Sequence, residues 1–219
     1  MSRKVTTLDM TMMYAVHGAL RRELAQVSRI TSRLDDDPRR LLHSALGWEL
    51  FSKFLHIHHT SEDVAVWPAV RAAAAERPDR LAVVEAMEAE HAKIDPLLAA
   101  VNDAIADQDY GHQRLGDLID TLATELSTHL AHEESEGLGL IDATLTPEQW
   151  KVFADDHRAR VGTDARLYLP WMLDGADTDL AATILSRMPE QLVTAYRDEW
   201  GPSYARLTLW GATDEPAKA

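Results

Sequence analysis

The chain contains no cysteine. Disulfides, thiolate metal sites and iron–sulfur clusters are therefore excluded, and any bound metal must be held by imidazole and carboxylate. No glycine-rich phosphate loop of the Walker or G-x-G-x-x-G type is present. Basic runs are missing too, and the net charge of -14 argues against nucleic acid, whose phosphates need lysine and arginine patches. The longest apolar runs fall far short of the ~20 residues of a membrane span. The opening segment "MSRKVTTLDM" lacks the apolar core of a secretory signal, so a cytoplasmic location is expected.

What is there suits a globular protein. The 219 residues are 46% hydrophobic and 26% charged, enough for one domain or one domain with an extension. Over the first 145 residues apolar side chains recur at steps of three and four, the helical period. Four long helices are predicted, over 8–34, 38–75, 79–106 and 113–141, and Pro96 predicts a kink in the third. Short links between them predict antiparallel neighbours, hence an all-α, up-down-up-down four-helix bundle over 1–145. Thr146 and Pro147 open a fifth helix. The remainder to Trp210 holds four of the six tryptophans and three of the five tyrosines, which predicts a packed helical extension over 146–210. Residues 211–219 read as a disordered tail.

Each predicted bundle helix carries one histidine on its apolar stripe. The first places His17 between Met13 and Leu20, the second His58 between Phe54 and Ala65, the third His91 between Met87 and Ile94, and the fourth His129 beyond Leu126. The second and fourth add Glu62 and Glu133, one turn further along the same face. A single histidine on an apolar face is usually a hydrogen-bonded core residue. Four of them, with two carboxylates that share their stripes with no lysine or arginine, point instead to a bound cation. The order His, then His-x-x-x-Glu, occurs twice, in the first and second helices and again in the third and fourth. That echo predicts a binuclear centre bridged by one glutamate from each half.

Imidazole and carboxylate without thiolate suit iron best, ahead of manganese or zinc. Two six-coordinate irons need about twelve bonds. Four histidines, two bridging glutamates and one oxo or hydroxo bridge leave about two positions open, and open positions mean small-molecule chemistry.

"VHGALRREL" with His17, "HHTSEDVAVWP" with His58 and Glu62, "MEAEHAKID" with His91 and "LSTHLAHEESEGLGLI" with His129 and Glu133 resemble the hemerythrin-like family, in its bacterial HHE cation-binding form, over roughly residues 8–141. The resemblance implies two non-haem iron ions in a bundle. It also implies dioxygen, hydrogen peroxide or nitric oxide as ligand: either a di-iron oxidoreductase using peroxide or dioxygen, or a non-catalytic binding or sensing protein. One departure matters. The oxygen carriers resemble H-x-x-x-H on the third helix, but here the residue four after His91 is Asp95. Four histidines would leave both irons accessible and favour reaction with peroxide or activated oxygen over reversible carriage.

Several residues stand at the margin. Asp95 is a candidate ligand or outer partner, and equally a solvated acid. Glu134 is the alternative bridge in the fourth helix, although the stripe prefers Glu133. Tyr14, one turn before His17, is a candidate hydrogen-bond donor near the site or a packing residue. His157 is expected at the surface and His132 on a polar face. His59 and Asp63 share a face with Ser52 and His56 and are expected to be peripheral or to act as outer partners of the ligands. The extension is expected to buttress the bundle or to form a homodimer interface, ahead of a pocket for an organic substrate.

Overall fold

Side-chain caps and prolines decide where the helices begin. In the computed structural model, which describes residues 7–32 and 37–210, helix α1 (Thr11–Thr31) opens behind Asp9, whose Oδ1 accepts from Thr11 N at 3.1 Å. Asp37 Oδ1 accepts from Arg39 N, with Pro38 at the first position of α2 (Pro38–Ser44). Thr146 and Gln149 form a reciprocal capping box that opens α8 (Pro147–Val161), as the sequence predicts. Among the described residues every element is helical and no strand occurs. No helix is long and apolar enough to cross a membrane. Leu34 and the expected tail over 211–219 lie outside the described residues.

The second predicted helix is divided into α2, α3 (Leu46–Ala65) and α4 (Trp67–Ala73). The first break falls at Ala45, whose backbone is extended (φ −82°, ψ 111°). Its cause is distant in sequence. Gly47 N donates to Leu209 O at 2.8 Å, and a Cβ on Gly47 would lie 2.2 Å from the Trp210 ring. The second break, at Val66, precedes Pro68, which has no N–H to continue the ladder. Helix α5 (Pro78–Ala106) passes through Pro96, an exposed position where the lost hydrogen bond leaves a carbonyl facing water. The fourth predicted helix is α6 (Gly111–His132), then a π-helical turn over Glu133–Gly137, then α7 (Leu138–Thr144). Beyond α8 come α9 (Ala165–Leu173), α10 (Thr178–Ser186), α11 (Glu190–Ala195) and α12 (Gly201–Tyr204).

Helix α6 packs along α5 and α1, α1 also packs on α3, and α8 lies along the outer side of α3. The apolar interior forms two clusters. The larger runs from Val16, Leu20 and Leu24 through Phe51, Phe54, Ile94, Leu98, Leu122 and Leu126, and takes in Tyr168, Trp171, Met172 and Trp210. The smaller joins Leu8, Met13, Val66, Trp67, Val84, Met87, Leu138, Ile141 and Phe153. On each of α1, α3, α5 and α6 with its π turn, a polar layer falls between the two clusters.

The C-terminal residues are clamped on the bundle by one carboxylate. Glu23 is 1% exposed; its Oε2 accepts from Trp210 Nε1 at 2.9 Å and its Oε1 from Arg22 Nη2 at 2.5 Å. Arg22 also donates to the carbonyls of Trp171 and Asp174, at the end of α9. Truncation of Glu23 would remove the carboxylate to which Trp210 Nε1 donates and one of the acceptors of the Arg22 guanidinium. Glu23→Ala is expected to cost about 2 kcal/mol, read as a lower urea midpoint with altered tryptophan emission. Glu23→Gln keeps an acceptor for Trp210 and is expected to cost less.

Candidate metal centre

The polar layer is built from seven side chains that are at most 4% exposed: His17 on α1, His58, His59 and Glu62 on α3, His91 on α5, His129 on α6 and Glu133 at the start of the π turn. They fall into two groups. His17, His58, Glu62 and Glu133 each offer one donor atom, and those atoms lie within 4.8 Å of one another. His59, His91 and His129 do the same. Within the groups His17 Nε2 lies 3.1 Å from His58 Nε2, and His91 Nε2 lies 3.2 Å from His129 Nε2. A short contact between two ring nitrogens puts lone pairs face to face unless a proton or a cation stands between them.

Both glutamates reach across the groups. Glu62 Oε1 is 3.3 Å from His58 Nε2 and its Oε2 is 3.6 Å from His91 Nε2. Glu133 Oε2 is 3.1 Å from His17 Nε2 and 3.9 Å from His129 Nε2. Yet no oxygen of either carboxylate accepts an aligned hydrogen bond, and neither ring nitrogen of His59 has a partner. Buried polar atoms are rarely left this way. A cation between the groups would engage the carboxylate oxygens and one nitrogen of His59, so the donor set fits a metal.

Outside this layer, carboxylates fix the rings. The Nδ1 of His17 donates to Glu134 Oε1 at 2.9 Å, that of His91 to Asp63 Oδ1 at 2.7 Å, and that of His129 to Glu90 Oε2 at 2.9 Å. Each such bond holds the tautomer whose Nε2 lone pair points inward. Arg21 Nη1 donates to the same Glu134 oxygen at 2.6 Å. Burial raises the Glu134 pKa, but the hydrogen bonds from His17 and Arg21 outweigh it and hold the carboxyl down at about 2. His132 Nδ1 donates to the other oxygen of Glu90 at 2.8 Å.

The inner groups cannot all carry charge. Burial, then the charges of Glu133 and Asp63, push Glu62 well above the usual carboxylate range. Burial and the neighbouring imidazoles push His58 and His59 well below the usual histidine value. For His17 burial works the same way, but the nearby charge of Glu133, with the hydrogen bond and charge of Glu134, prevails and its pKa is raised. In the metal-free chain, burial and the neighbouring charges thus favour the protonated forms of Glu62 and His17.

All six residues singled out from the apolar stripes meet in this layer. Of the marginal ones, Asp95 is half-exposed and pairs with His56 Nδ1 at 3.4 Å, on the surface. Glu134 is an outer partner. Tyr14 is half-buried and packs against the smaller apolar cluster. His157 departs from its expected surface position. It is half-buried, its ring is 6.5 Å from that of His58, and Tyr168 Oη lies 3.4 Å from its Nε2. Burial pushes its pKa down to about 4.

His59 is the correction. Expected at the periphery, it is 2% exposed and stacked on the His91 ring with centroids 4.0 Å apart. The stripe that contains it is Leu55, His59, Glu62 and Val66, all buried, rather than Ser52 and His56. Helix α3 is buried on a wider arc than one stripe: His58 faces His17 of α1, while His59 faces His91 of α5 and His129 of α6. Asp63, its neighbour on the expected peripheral face, does act from outside. Gly137 is a second residue that the sequence reading missed. A Cβ there would lie 2.9 Å from Glu133 Cγ, so glycine leaves the space in which that side chain turns inward.

A family model for the hemerythrin HHE cation binding domain matches residues 9–141. Neither the curated proteins nor the solved structures contain a match. The matched span covers more than half of the chain and includes all seven inner residues, and cation binding, for which the family is named, fits the orphaned carboxylates. The chain belongs to the hemerythrin family of HHE cation-binding domains.

Proposed function

We propose that an up-down-up-down four-helix bundle over 1–145, with the helical extension over 146–210 packed on it, holds two non-haem iron ions, and that the centre takes up dioxygen or hydrogen peroxide. One observation carries this reading: Glu62 and Glu133 each span both groups of imidazoles, with oxygens that no hydrogen-bond donor satisfies. His17, His58, His91, His129, Glu62 and Glu133 are the proposed ligands. Bound iron would supply a redox-active Lewis acid for dioxygen, peroxide or nitric oxide.

The chain's own residues contribute the rest. Asp63, Glu90 and Glu134 orient three imidazoles and raise their basicity. The two apolar clusters exclude bulk water from either side of the layer. A non-catalytic role in binding dioxygen or nitric oxide is the second reading. It is favoured by His59, whose buried imidazole takes away part of the open coordination that four histidines alone would leave.

Loading the purified protein with ferrous iron is expected to give two irons per chain, and Glu62→Ala or Glu133→Ala is expected to retain one or none. Wild-type protein that retains no iron would overturn the reading. Oxygen evolved after peroxide addition would establish turnover, whereas reversible optical bands without turnover would establish binding.

Metal uptake also has a definite pH sign. The metal-free chain favours the protonated forms of Glu62 and His17, both by raised pKa values, and ligation must expel those protons. Uptake at pH 6 is therefore expected to release roughly two protons per chain, followed with an indicator dye in weak buffer. Affinity is expected to fall as the pH drops. Uptake without proton release would contradict this charge assignment.

A further inference from the structure

Resting on the binuclear reading above, we infer that His59 is a fifth imidazole ligand, so that adjacent residues of α3 serve different metal ions: His58 the ion it shares with His17, and His59 the ion it shares with His91 and His129. Four observations support this. His59 is 2% exposed, and both of its ring nitrogens lack any hydrogen-bond partner, the one imidazole of the layer in that state among the described residues. Its ring lies nearly parallel to His91 (12°, centroids 4.0 Å) and edge-on to His129 (5.0 Å). One donor atom from each of these three rings lies within 4.8 Å of the others. Finally, Asp95, the carboxylate one turn beyond His91, is spent on His56 at the surface and leaves that position of the layer to another side chain.

Adjacent helical residues diverge by about 100°. Such divergence suits a pair of ions held about 3.5–4 Å apart, because each side chain can reach a different one. Asp63 fits the same division. It is one residue past Glu62, and it holds the outer nitrogen of His91 from the helix that supplies His59.

The assignment makes the two ions unequal. Three imidazoles would hold one ion and two the other, with Glu62 and Glu133 available to both. The ion between His17 and His58 therefore keeps one more free position, and an added small ligand binds there. It is the side on which α8 and α9 bring His157 and Tyr168 near His58.

Cobalt(II) titration of the full-length protein tests the assignment, read by metal count and by the visible bands that report coordination number. Wild type is expected to take two equivalents. His59→Leu, similar in bulk and apolar, is expected to weaken one of the two by roughly 100-fold or more, beyond the 10–100-fold cost of losing an outer partner. Asp63→Asn is expected to stay within that smaller range, and His56→Leu and Asp95→Asn to bind as wild type. The metal-free melting temperature supplies a second readout. Removing an unpartnered buried imidazole is expected to raise it, whereas loss of a merely structural core histidine would lower it and leave cobalt uptake unchanged. Should the Leu variant fail to fold, His59→Gln is read in its place. Two equivalents of unaltered affinity and spectrum in the His59 variants would overturn the inference while leaving the binuclear reading intact. A wild type that takes up no metal would defeat the binuclear reading itself.

Discussion

Two carboxylates in an apolar interior set the terms for the rest of this molecule. Glu62 and Glu133 are fully buried, face each other across the layer, and have no arginine or lysine beside them. Such groups must either hold protons or surround a cation. The imidazoles around them are arranged for the second outcome, with lone pairs directed inward by bonds from outside. The apolar clusters above and below keep the layer dry, which makes the charges costly when uncompensated and strongly held when a cation compensates them. A cation in the layer would compete with protons for these groups.

Much of this was legible in the sequence. Six of the seven inner residues stand on apolar helical stripes, and the period separates them from His56 and His132. The repeated His, then His-x-x-x-Glu order pointed to two carboxylates reaching across. His59 was not legible from one stripe, because it is buried against His91 and His129 of α5 and α6, whose placement beside α3 no local pattern specifies. The break at Ala45 was hidden for the same kind of reason: it is set by Leu209 and Trp210, far along the chain. The outer carboxylates were legible only in part. Asp63, Glu90 and Glu134 each serve a histidine on a different helix, so their roles depend on packing.

The C-terminal helices are integral to the interior. Trp171 and Tyr168 pack on Phe54, one turn before His58, and His157 stands beside His58 itself. The region that closes the outer side of α3 therefore sets the surroundings of His58. Glu23 and Arg22 tie the far end of that region back to α1, so the site's wall is anchored at two places.

The outer hydrogen bonds have a mechanical consequence. Glu134 lies next to Glu133 yet holds His17; Asp63 lies next to Glu62 yet holds His91; Glu90 lies next to His91 yet holds His129. In each case one residue of an adjacent pair points in and the other reaches across to a neighbouring helix. A rotation of any one helix about its axis would pull an inner donor out of the layer and break a bond to the next helix in the same movement. The angular phase of α1, α3, α5 and α6 is therefore fixed collectively, and the bundle's twist and the shape of its polar layer vary only together.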